Sequence, residues 1–213
     1  MKKLGILGFA LVAWNANANL LTNGSFELGS FVNQGSETMS LVGGNTTITG
    51  WTVTGDSLAW INVGNPWGLS AQDGNLFLDL TNYTTGAPFG GVTQTISTIV
   101  GQQYQLSFEL GTYTARWGGP PVSILASAGG TSATSTVSTT STASTWTPFS
   151  LAFTATSATT TISLIGSAGA AYVGLDNVSV DAVSGPTVPE PVSYALFALG
   201  LAAFGSIARW KRT

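Results

Sequence analysis

Apolar and polar residues alternate with period two along most of this chain, and its middle holds no convincing stretch of helical periodicity. Gln103–Leu110 is the clearest case. Tyr104, Leu106, Phe108 and Leu110 fall on one face, and Gln103, Gln105, Ser107 and Glu109 on the other. Trp146–Ala155 repeats the pattern with Phe149, Leu151 and Phe153. The same reading places strands at Leu20–Glu27, Thr47–Val53, Ser57–Asn62, Leu76–Leu80, Gly91–Thr98, Val122–Ala126, Thr159–Ile165 and Tyr172–Asp181. Turns such as Gly43-Gly44-Asn45, Gly118-Gly119-Pro120 and Gly129-Gly130 separate them. Short strands at this spacing predict an all-β sandwich. Ser127–Trp146, nearly all Ser, Thr, Ala and Gly, reads either as a mucin-like linker or as an edge hairpin. Thr and Val suit strands, and a long coil is unusual inside a compact domain, so the hairpin is expected.

The two ends break the alternation. Met1–Ala18 carries two lysines, an apolar run from Leu4 to Trp14, and a small-x-small close at Ala16-Asn17-Ala18. That is the layout of a secretory signal peptide, cleaved after Ala18. Val188–Thr213 reads V-P-E-P, then an uncharged run from Val192 to Ala208, then Arg209, Trp210, Lys211 and Arg212. As a helix this run spans roughly 25 Å, just short of the hydrocarbon core, so flanking Trp and snorkelling Arg and Lys complete the crossing. Basic residues at its C-terminal side keep that end in the cytoplasm and put everything before Val192 across the membrane. Pro189 and Pro191 hold an extended peptide outside the bilayer, as in a plain anchor or a processing site. The expected domains are therefore 1–18, a sandwich over 19–186, and a tail over 187–213.

The order Pro189-Glu190-Pro191, apolar run, basic terminus resembles the PEP-CTERM sorting signal of Gram-negative bacteria, with Val188, Pro189, Glu190 and Pro191 as its motif and Arg209, Lys211 and Arg212 as its basic tail. The resemblance implies an exosortase-type membrane protease as a partner. It also implies an inner-membrane-anchored precursor that ends on the cell surface or in the extracellular matrix.

Composition narrows the chemistry of what is exported. Arg116 is the one basic residue between Asn19 and Glu190, against nine acids, a formal charge of −8. Such a surface repels phosphate backbones and anionic lipid, which excludes nucleic-acid binding. The chain has no Cys and no His. Disulfides, Cys/His zinc sites and Ser-His-Asp or Cys-His nucleophile systems are excluded with them. A carboxylate-pair glycoside hydrolase drawing on two of Asp56, Asp73, Asp79 and Glu109 remains open.

The mature chain opens Asn19-Leu20-Leu21-Thr22-Asn23-Gly24-Ser25-Phe26-Glu27, carries Gly50-Trp51, and closes Leu175-Asp176-Asn177-Val178-Ser179-Val180. This framework resembles the galactose-binding-like jelly rolls of many bacterial carbohydrate-binding modules. The resemblance implies that the first and last strands lie together and share one structural calcium ion, with Glu27 and Asp176 as its ligands. Calcium takes six to eight oxygens and suits such carboxylates. Equally, the two acids accept backbone hydrogen bonds in turns.

Trp51, Trp60, Trp67, Trp117 and Trp146 belong to the exported part. Aromatic rings stack on sugar faces, and two loop groups are candidates: Tyr113, Arg116 and Trp117 after the clearest strand, and Trp67 in Asn65-Pro66-Trp67-Gly68. The alternative for any of them is ordinary core packing, as expected of Trp51. The expected function is non-catalytic polysaccharide binding by an exported surface or matrix protein. A structural coat component without glycan binding is the alternative, and the hydrolase a third.

Overall fold

The computed structural model describes residues 19–82, 87–113, 121–138, 144–169 and 172–183. The signal segment 1–18, the motif Val188–Pro191, the basic tail at Arg209, Lys211 and Arg212, and the loop residues Arg116 and Trp117 lie outside the described residues. Among those described, no helix is long and apolar enough to cross a membrane.

Eleven strands are described: β1 (Thr38–Val42), β2 (Thr52–Gly55), β3 (Ser57–Asn62), β4 (Leu76–Asp79), β5 (Gly90–Ser97), β6 (Gln103–Thr112), β7 (Val122–Ala128), β8 (Thr131–Val137), β9 (Thr145–Thr154), β10 (Thr159–Ala168) and β11 (Gly174–Ala182). They form a six-stranded sheet, β1-β3-β4-β11-β6-β9, and a five-stranded sheet, β2-β5-β10-β7-β8. Every neighbouring pair is antiparallel. The result is the expected all-β sandwich of two antiparallel sheets.

Alternation builds the core between the sheets. Tyr104, Leu106, Phe108 and Leu110 of β6 face Val92, Ile124, Ile162 and Leu164 of the other sheet within one buried cluster. Ser127–Trp146 holds a solvent-facing edge strand, β8, which forms a hairpin with β7, pairing from Val122↔Val137 to Ala128↔Thr131. β8 is an exposed edge whose Ser and Thr side chains need no core.

Two expectations are corrected. Leu20–Glu27 is not a strand, because Asn23 and Phe26 adopt φ of 60° and 59°, which bends the chain at Asn23-Gly24. The Asn19 side chain nevertheless ties this segment to β11. Its carbonyl accepts from Val180 N at 3.0 Å, and its amide donates to Val178 O at 3.2 Å. The first and last described segments thus lie together as the jelly-roll resemblance implies. The second correction is β1, a strand that sequence periodicity did not mark.

Trp51 and Trp60 are core residues, 1% and 0% exposed. Each buried indole N–H finds a carbonyl in the N-terminal segment, Trp51 at Asn23 O (2.8 Å) and Trp60 at Phe26 O (3.1 Å). Sandwich and N-terminal segment are therefore one packing unit.

Candidate functional site

The outer face of the six-stranded sheet departs from the usual exposed polar face. Over β3 and β4 it is apolar, and Ala59, Ile61 and Phe77 pack there with Leu69 and Tyr172 as a second buried cluster. Burying both faces of an antiparallel sheet requires a cover. The segment joining β3 to β4 supplies it, with Trp67, Leu69 and Ala71 laid over the sheet.

Two glycines make that close approach possible. A side chain at Gly174 would meet Leu69 Cδ2 at 2.8 Å, and one at Gly111 would lie 2.5 Å from the Trp146 ring. Trp146 thereby lies over β6, crosses Phe77 edge-on at 5.8 Å between ring centroids, and donates its indole N–H to Ser70 O at 2.9 Å. Gly68 sits against the Tyr113 ring, where a Cβ would come within 2.7 Å. The structure thus gathers Trp67 and Tyr113, two of the four candidate ligand residues, into one half-buried aromatic group with Trp146 and Tyr172.

Glu27 and Asp176 hold the covering segment down. Glu27 Oε1 accepts from Asn75 N (2.8 Å) and Leu76 N (2.6 Å). Asp176 Oδ2 accepts from Gln72 N (2.8 Å) and Asp73 N (3.0 Å), while Oδ1 accepts from Asn177 N (2.7 Å). The segment turns amide donors toward both carboxylates. Among the described residues, no three acids come together as a group that could hold a metal ion. These hydrogen bonds occupy Glu27 Oε1 and both oxygens of Asp176, three of the four oxygens that the two acids would bring to a calcium shell. The two acids act here as hydrogen-bond acceptors.

Beyond the cover the same face opens into a groove of about 340 Å³ lined by Gln105, Ser107, Glu109, Ser150, Asn177 and Ser179, with Pro148 at its side. Strand register makes it continuous with the aromatic group. Trp146 pairs with Gly111, Pro148 with Glu109 and Ser150 with Ser107, so alternation puts all six on one face. Asn177 enters through the irregularity between Asp176 and Ser179, at a φ of 48° that any side chain but Asn, Asp or Gly adopts reluctantly. Among the described residues, none of the six polar side chains has an intramolecular hydrogen-bond or ionic partner. Partial burial raises the Glu109 carboxyl above its ordinary value.

The acids named for hydrolysis do not assemble. Asp79 is buried and accepts from Thr81 N and Oγ1 and from Val173 N. Asp56 accepts from Ser57 Oγ at 2.9 Å. Asp73 is exposed on the covering segment, and of the four only Glu109 lines the groove. Its cross-strand partner is an acid, Asp176, which sequence reasoning did not pair with it, but Asp176 is fully buried with its oxygens held by amides. Trp146 and the groove residues of β9 and β11 were also missed. The signal for them was the alternation itself, continued on the polar face.

The family described as "Protein of unknown function (DUF642)" matches residues 19–180. No curated protein sequence matches the chain. Among solved structures, an arabinose-bound α-L-arabinofuranosidase, MgGH51, is 14% identical at a TM-score of 0.51, covering 79% of this chain and 27% of that one. The module TmCBM61, solved in complex with β-1,4-galactotriose, is 16% identical at 0.49, covering 78% and 99%. A family 35 module from Paenibacillus barcinonensis is 15% identical at 0.43, covering 68% and 99%. The first of these supports the sandwich fold and nothing beyond it.

Two predictions follow from the Glu27 and Asp176 contacts. With amides as their partners, the unfolding midpoint of the purified chain is expected to be the same with and without a calcium chelator; a lower midpoint on chelation would show a bound ion. Burial pushes the Asp176 carboxyl up to about 7, against three amide bonds that lower it, with the charge of Asp73 adding to the rise. The unfolded chain releases this proton near pH ~4, so between about 4 and 7 the folded state binds more protons. This contribution to stability is full below about pH 4 and declines to about pH 7. Denaturant midpoints are expected to be higher at pH 5 than at pH 8, and Asp176→Asn to shrink that difference.

Proposed function

The chain belongs to the DUF642 family of proteins of unknown function, and we propose that it is an exported protein that binds polysaccharide without cleaving it. The binding surface is the outer face of the six-stranded sheet. One observation carries this reading: a half-buried aromatic group holding Trp67, Tyr113 and Trp146 stands beside a groove of six polar side chains that have no partner among the described residues. A sugar presents an apolar ring face and a rim of hydroxyls, and needs such a surface. Asn and Gln amides and Ser hydroxyls both donate and accept, as a polyol does.

Catalysis is not part of the reading. Acid–base cleavage of a glycoside takes two carboxyls on opposite sides of the bond, and of the four acids considered the groove presents Glu109 alone. The face is built to hold a chain, with its rings pinned by packing and by the Trp146 bond to Ser70.

Export is read from the ends. The family match spans 19–180, between the two segments read as addresses, which supports assigning them to transport and not to the fold. In this reading the signal peptide 1–18 is removed, the Val192–Ala208 helix anchors the precursor in the inner membrane, and an exosortase-type protease acts near Pro189-Glu190-Pro191. The product is a surface or extracellular-matrix protein of a Gram-negative bacterium.

Affinity electrophoresis of the full chain in gels containing neutral polysaccharides is expected to show retardation. Trp67→Ala and Trp146→Ala are each expected to weaken it by about tenfold or more while the far-ultraviolet circular dichroism stays unchanged. No retardation by any glycan would favour a structural coat component, and release of reducing sugar would favour a hydrolase. Mass spectrometry of the protein recovered outside the cell is expected to give Asn19 as first residue and to lack the basic tail. Recovery of the intact chain in the cytoplasm would overturn the export reading.

A further inference from the structure

We propose that the glycan held on this face carries free amino groups and that Glu109 is the counter-charge for one of them. This rests on the polysaccharide-binding reading and names the class of ligand within it. The first observation is the charge of the surface. Among the described residues there is no Lys, Arg or His, whereas Glu27, Glu37, Asp56, Asp73, Asp79, Glu109, Asp176 and Asp181 are all present. A uronic acid or sulfated polymer would approach a body of formal charge −8 whose one basic residue, Arg116, lies outside the described residues. Complementarity selects against anionic glycans and in favour of cationic ones.

The second observation is local. Three other acids of the sandwich, the buried Asp79 and Asp176 and the half-buried Glu27, find backbone donors: Glu27 and Asp176 take amides of the covering segment, and Asp79 takes the amides of Thr81 and Val173. Glu109 is half-buried in the groove and has no donor among the described residues. An acceptor-only group in that position gains most from a ligand that brings protons, and an ammonium brings three of them with a full charge. Around it Gln105, Ser107, Asn177 and Ser179 offer oxygens to the remaining ammonium protons and both donors and acceptors to ring hydroxyls. An N-acetyl group replaces the charge with a neutral amide and leaves Glu109 with a single weaker donor.

The test compares two oligomers that differ only in that group, the β-1,4-linked glucosamine tetramer and its fully N-acetylated counterpart, by calorimetric titration of the full chain in detergent. The free-amine tetramer is expected to bind about tenfold more tightly at low salt, with the ratio shrinking as ionic strength rises. Glu109→Gln is expected to bring the ratio to about one, and Glu109→Asp, which keeps the charge, to retain a preference for the amine. Equal affinity for the two tetramers in the native chain would overturn the inference and leave the polysaccharide reading standing. A preference unchanged in Glu109→Gln would overturn the role of Glu109. Failure of both tetramers and of every polysaccharide would overturn the underlying reading. Tighter binding of tetralysine than of the glucosamine tetramer would assign the amine to a protein partner and overturn the glycan.

Discussion

Among the described residues there is no cation, so the carboxylates that pack into this structure, Glu27, Asp79 and Asp176, are satisfied by backbone N–H and hydroxyl donors, and that constraint shapes it. Glu27 and Asp176 each accept two N–H groups from Gln72–Leu76, and these bonds fasten the segment that covers the outer face of β3 and β4. An intramolecular hydrogen bond contributes about 0.5–1.5 kcal/mol net, and a buried acceptor or donor left without its partner costs about 1–3 kcal/mol. Held this way, the segment carries Leu69 and Trp67 onto the sheet and keeps Ile61 and Phe77 from water. The N-terminal segment that carries Glu27 is itself fixed by Asn19 against β11 and by the indoles of Trp51 and Trp60. Chain start, covering loop and last strand therefore stand or fall together.

Much of the fold was legible in period-two alternation because the core lies between two sheets, and each strand there shows one face to it. Ser57–Asn62 was read to the residue, and Gln103–Thr112 extended its expected strand by two positions. Errors fell where side chains and not periodicity decide the backbone. Leu20–Glu27 alternates well enough to read as a strand, yet Asn23-Gly24 bends it, and only the backbone bonds Leu20 N to Val180 O and Val178 N to Gly24 O, with those of the Asn19 side chain, tie it to β11. β1 was missed because Thr38–Val42 is a short edge strand with Leu41 as its one fully buried side chain. A strand that leans on a single core residue leaves little periodic signal.

The site was legible in part, and for a different reason. Trp67 and Tyr113 drew attention as aromatics on loops, where chemistry and position both suggest exposure. Their partner Trp146 did not, since it begins a strand, and its place depends on Gly111 of a neighbouring strand offering a flat patch of backbone. Such pairings across strands follow from register, and register is set by the whole sheet. Glu109 enters the sequence reading as one of four acids available for a carboxylate pair, with no partner assigned to it. In the sheet its neighbour is Asp176, yet the two have opposite surroundings: one is enclosed by amides, and the other faces an open groove.

That contrast explains how one face serves both stability and recognition. Toward β3 the face is sealed by a segment whose amides answer the buried acids, and the aromatic rings are locked by packing against it. Toward β9 the seal stops, and the strand chemistry that would ordinarily meet bulk water lines a groove instead. Rings held by a buried cluster lose little freedom when a sugar stacks on them, and side chains without intramolecular bonds have none to break when hydroxyls arrive. The stability needed to hold the site comes from the covered half, which leaves the open half free to keep polar groups that contribute nothing to folding. Glu109 marks the boundary. It is buried enough to be poorly solvated, and nothing in the described chain neutralises it, so any gain from its charge falls to a ligand.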